Sequence, residues 1–166
     1  MGWSRKTGGG GYGRSRPFRL LFAAVCASTV AAFAGTAGAT TGSHLLTSHL
    51  RKTPPAVGAR RATGALTARL SIAGQNGSFT WKLAFAHLSG RALHAGIYFG
   101  KTAKPSQLAM LLCTECSPTA QGYYHGPYVA GKRFVRAMLR GRAYVVVQTR
   151  RNPKGEISGR IKVKAT

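Results

Sequence analysis

Residues 64–166 predict an all-β fold, an antiparallel β-sandwich of Ig-like or Greek-key type with one short helix. Three observations carry that prediction. Apolar and polar residues alternate after Ala65, turn residues separate the alternating runs, and the runs are short and evenly spaced. In ALTARLSIA (65–73) one face carries Leu66, Ala68, Leu70 and Ile72. QNGS (75–78) is a hairpin turn, with Asn76-Gly77 suited to positive φ. FTWKLAF then lines up Phe79, Trp81, Leu83 and Phe85, with Thr80 and Lys82 opposite. LSG (88–90) turns the chain, and ALHAGIYFG alternates Leu93, Ala95, Ile97 and Phe99.

QLAMLLC (107–113) is almost continuously apolar and predicts a central strand buried on both faces. Residues 114–131 are rich in Gly, Pro and Tyr and read as a loop. KRFVRAMLRG gathers Phe134, Val135, Met138 and Leu139 on one side of a short helix ended by Gly141. AYVVVQT is a strand and RRNPKG a turn. EISGRIKV is a last strand, with Ile157, Ile161 and Val163 inward.

The N-terminal part has a different character. Arg5, Lys6, Arg14, Arg16 and Arg19 precede an apolar run from Leu20 to Ala34, and Ala37-Gly38-Ala39 fits a small-x-small cleavage site. That order describes a secretory signal peptide over residues 1–39, cleaved before Thr40. The run is shorter than the ~20 residues of a membrane-spanning helix. An uncleaved membrane anchor is the alternative. Residues 40–63 show no sustained period and read as a flexible basic leader before the domain at 64–166.

Charge is the most unusual property of the chain, with 25 Lys and Arg against two acids, Glu115 and Glu156, for a net +23. Removing residues 1–39 takes away five cations and no acid, leaving +18. It also removes Cys26, leaving Cys113 and Cys116, the even count that an oxidising compartment favours. A structural disulfide between these two is expected. A thioredoxin-like pair needs a helix at the first cysteine, and Ser117-Pro118 breaks one.

Glu156 opens the last strand straight after Asn152-Pro153-Lys154-Gly155. A carboxylate there locks the turn by accepting hydrogen bonds from its amides or by pairing with Arg150, Arg151 or Arg160. The blocks LSGRALHAGIYFG (88–100), GRAYVVVQT (141–149) and NPKGEISGRI (152–161) resemble the CHRD, or chordin-type, domain family. The resemblance covers roughly Ala65 to Val163 and implies an exported domain with Glu156 as its turn glutamate. The His-x-His of the family falls on Gly96 and Tyr98, and its later His falls on Gln148. The resemblance therefore implies a degenerate pocket at His94, Gly96, Tyr98 and Gln148, a poor metal set.

No catalytic constellation stands out. There is no Asp, the two glutamates lie in separate turns, and no G-x-S-x-G occurs. No enzyme activity, cofactor, metal or small-molecule substrate is expected. The remaining lead is basic: Lys132, Arg133, Arg136 and Arg140 at helical spacing, then Arg142, Arg150 and Arg151. An exported protein meets lipid surfaces and envelope polymers rather than a specific nucleic acid. The expected function is a secreted binding protein that contacts such an anionic partner through this basic face. The alternatives are a structural module that binds another exported protein, and a metal-binding domain if His94, Tyr98, Gln148 and Glu156 converge.

Overall fold

The computed structural model describes residues 41–100 and 107–165. The expected signal peptide lies outside them. Strands β1 (Gly42–Lys52), β2 (Thr63–Ala73), β3 (Asn76–Ala86) and β4 (Ala92–Phe99) are followed by β5 (Leu108–Thr114) and β6 (Thr119–Gly126). Helices α1 (Pro127–Ala130) and α2 (Lys132–Leu139) then lead to β7 (Ala143–Thr149), β8 (Ile157–Arg160) and β9 (Lys162–Val163). All the pairings are antiparallel. The strands form one nine-stranded sheet in the order β5-β4-β7-β8-β1-β2-β3-β6, with β9 beside β1. The all-β antiparallel class expected from the alternation is present, as a sheet nearly closed on itself.

The inward rows follow the two-residue period. Leu66, Ala68, Leu70 and Ile72 of β2 face Phe79, Trp81 and Leu83 of β3, all buried. Ala95 and Ile97 of β4 and Val145 and Val147 of β7 continue the core. The helix α2 seals one end with Phe134, whose ring centroid lies 5.8 Å from Phe79 and 6.3 Å from Phe99. Its buried residues are Phe134, Ala137 and Met138, the i, i+3, i+4 set, whereas Val135 and Leu139 are half-buried.

Four expectations are corrected. The leader predicted over 40–63 is not a leader: its first half is β1, a central strand paired with β2 on one side and with β8 and β9 on the other. Leu46 and Leu50 face the core, but buried Ser48 stands between them and interrupts the apolar row. The run 107–113 is an edge strand, with Met110 and Leu112 inward and Leu108 and Leu111 exposed. Register shifts between Ala95 and Gly96 and between Ile97 and Tyr98 of β4 break the alternation of β5, and the second turns Leu108 to the outward face although Met110 and Leu112 point inward. The loop predicted over 114–131 contains β6, whose Ala120, Gly122 and Tyr124 pair with the core residues Leu83, Trp81 and Phe79 of β3. Gly122 is required there, because an added Cβ would lie 2.6 Å from the Trp81 ring. Val163 points outward and is exposed.

The two edge strands face each other across the seam of the sheet. The Tyr124 hydroxyl donates to the Leu111 carbonyl and the Tyr128 hydroxyl to that of Ala109. Two side chains thus satisfy edge carbonyls that would otherwise offer a template to another strand.

Substituting Leu46→Ala tests the placement of β1. A buried leucine truncated in a packed core costs about 2–5 kcal/mol, read as a lower urea midpoint at unchanged m-value. A flexible leader would show no change.

Candidate functional site

Glu156 is 0% exposed and lies where three segments meet. Its Oε1 accepts from the Ser89 amide, and its Oε2 accepts from Ser89 Oγ at 2.6 Å, Thr149 Oγ1 at 2.6 Å and Asn152 Nδ2 at 2.9 Å. All four donors are neutral, and none of the arginines expected to pair with it does so. Asn152 extends the knot to a third segment: Val57 N donates to its Oδ1 at 2.8 Å, and its Nδ2 donates to Val57 O at 3.1 Å. Thr53 N donates to the Glu156 carbonyl at 2.9 Å. Burial pushes the carboxyl pKa up, but the hydrogen bonds from Ser89, Thr149 and Asn152 outweigh it and hold the pKa below the ordinary glutamate value.

His94, Gly96, Tyr98 and Gln148 lie on β4 and β7. His94 is paired with Gln148, Gly96 with Val146 and Tyr98 with Tyr144. The four do not converge with Glu156, whose partners are Ser89, Thr149 and Asn152. Tyr98 stands four residues along β4 from His94, about 13 Å at ~3.3 Å per residue, too far to share a ligand with it. Gly96 is covered, since an added Cβ would lie 2.8 Å from Leu108 Cδ1. Burial raises the Tyr98 pKa. Among the described residues, no three His, Cys, Asp or Glu side chains group as metal ligands.

Cys113 and Cys116 lie within bonding distance, their Cα atoms 5.5 Å apart. Between them Glu115 takes a positive φ of 47°, and its Oε2 lies 3.5 Å from an Arg91 guanidinium nitrogen.

The seven basic candidates divide. Lys132, Arg133, Arg136 and Arg142 line one groove with Phe99, Gly100 and Ala137, about 590 Å³ in volume. The Arg133 guanidinium carbon sits 4.9 Å from the Phe99 ring centroid, a cation–π contact that holds the cation at the groove wall. Arg140 caps the C-terminus of α2 outside that lining. Arg150 and Arg151 line a different groove, with Arg91 and Glu115. Sequence reasoning missed Phe99, Arg91, Ser89, Thr149 and Asn152 as site residues. Ser89 and Asn152 stand in the LSG and NPKGE blocks, so a signal was present. Their meeting with Glu156 spans up to 67 residues and has no local signature.

The knot joins the LSG turn to the NPKGE turn, and the CHRD domain model matches residues 42–161. The chain belongs to the CHRD domain family. The match begins at the first residue of β1, so the CHRD domain includes the strand that the sequence hides. CHRD domains are known as binding modules rather than enzymes. Comparisons with curated proteins and with solved structures give no match.

The lowered pKa fixes the sign of an acid effect. The unfolded chain binds a proton at Glu156 more readily than the folded one. The stabilisation is therefore whole above about pH 4.3 and is lost as pH falls through the lowered folded value. Glu156→Gln sets an amide donor against existing donors and costs about 1.5–3 kcal/mol at neutral pH. Urea melts from about pH 7 to about pH 3 read both: wild type loses this component in acid, and E156Q has none to lose.

Proposed function

We propose that this CHRD domain is an exported, non-enzymatic binding module whose partner is an anionic polymer of the cell envelope. The partner sits in the groove beside Phe99. One observation carries the reading: Lys132, Arg133, Arg136 and Arg142 converge on a groove with an aromatic wall and no acidic lining residue. A helix supplies the first three at i, i+1 and i+4, and the turn before β7 supplies the fourth. A concave site suits a chain better than a flat bilayer does. The +18 charge left after cleavage before Thr40 draws polyanions in general, and the groove supplies the place where one is held.

A second reading, a protein–protein module, is favoured by large side chains exposed near the β5–β6 seam: Leu108, Leu111, Tyr123 and Tyr128. Salt separates the two readings, since polyanion binding weakens steeply with ionic strength and an apolar interface does not.

The test measures binding of the purified protein to an acidic wall polymer, anionic vesicles and DNA across a salt series through about 0.15 M. The polymer is expected to bind best. Arg136→Gln with Arg142→Gln should lower the slope of log affinity against log salt by about two. Equal, weak binding to all three, untouched by the double substitution, would leave the charge as a solubility feature and end the polymer reading.

A further inference from the structure

A second basic groove lies at the other end of β7. Arg91, Arg150 and Arg151 line it together with Ser89, Gly90 and Glu115, in a volume of about 580 Å³. Arg142 precedes β7 and Arg150 follows it, so the two grooves lie about 26 Å apart at ~3.3 Å per residue. Neither acidic side chain of the sequence stands between them, since Glu156 is buried and Glu115 lines the second groove.

Glu115 is placed in this groove with some care. The Cys113–Cys116 link, the positive φ and the bond from its amide to Leu93 O fix the backbone. Its carboxylate faces Arg91 at 3.5 Å, with side chains 68% and 71% exposed respectively. Such an exposed pair is weak and an incoming anion displaces it. Arg151 is held against Gly58, where an added Cβ would lie 3.0 Å from its Nη1. Guanidinium groups present paired N–H donors that match two oxygens of a carboxylate or a phosphate.

We propose that this groove is a second oxyanion subsite, occupied in the free protein by the tethered Glu115, and that one anionic polymer chain fills it and the Phe99 groove together. The inference rests on the polymer-binding reading above and adds a length requirement to it. Once one end is held, the second contact becomes intramolecular, and the affinity gain depends on whether the chain reaches.

Oligoglutamates of about 4 and about 16 residues span roughly 14 and 56 Å when extended. Polyphosphates of matching reach separate phosphate from carboxylate preference. With the full protein, the long probes should bind at least ~100-fold more tightly than the short ones. Arg150→Gln, alone or with Arg151→Gln, should remove most of that gain and leave short-probe binding at the Phe99 groove intact. In an R136Q/R142Q background, Glu115→Gln should strengthen short-probe binding by up to about five-fold. A length gain that survives both R150Q and R150Q/R151Q overturns the second subsite and leaves the Phe99 groove standing. No binding of either length to wild type overturns both readings.

Discussion

A carboxylate out of water is costly unless its oxygens are satisfied, and Glu156 meets that condition without a single cation. Its donors come from the β3–β4 turn and the β7–β8 turn, and Asn152 carries the same knot to the segment after β1. These segments border β4, β7, β8 and β1, which lie side by side in the order β4-β7-β8-β1. One buried acid therefore ties together the connections at one end of the sheet. The position of Arg150 and Arg151 follows from that knot, since both lie between Thr149 and Asn152, which hold it. The Arg91 groove depends on it too, because Ser89 and Gly90 form part of its wall.

Neutral donors have a second consequence. A guanidinium partner for Glu156 would have taken one cation out of the surface field. The hydroxyl and amide set takes none of the arginines near the turn into the knot. Glu115 with Arg91 is the ion pair found among the described residues, and both its side chains are largely exposed. The clamp that organises the turn thus consumes none of the surface charge.

The rows of β2, β3, β4 and β7 were legible because one face of each buries large apolar residues at strict alternation. β1 was not, since Ser48 sits between Leu46 and Leu50 and its stability comes from partners on both sides. β6 hid for the opposite reason: its inward Gly122 is empty space that the Trp81 ring fills. β5 looked central because outward Leu108 covers Gly96 and outward Leu111 lies at the seam, where Tyr124 meets its carbonyl. Each miss is a case in which a distant neighbour decides what one position must be, and local periodicity holds no trace of it. At the site, the cations of α2 were visible from helical spacing. Their union with Phe99, and their separation from Arg150 and Arg151, depend on the β4–β7 pairing and on the length of β7.

That separation bears on stability as well as recognition. Like charges gathered at two ends of a small domain repel one another in the compact state, and the unfolded chain relaxes that repulsion by expanding. With Glu156 committed to the knot and Glu115 to Arg91, neither acidic side chain of the sequence offsets the cations around Phe99. An anion that binds the folded state and not the unfolded one stabilises the fold by mass action. In this domain the same occupant would relieve repulsion that the sequence leaves uncompensated. Under the proposed polymer reading, recognition and stability are coupled through the Phe99 groove, while the Glu156 knot keeps the sheet in place whether or not the groove is filled.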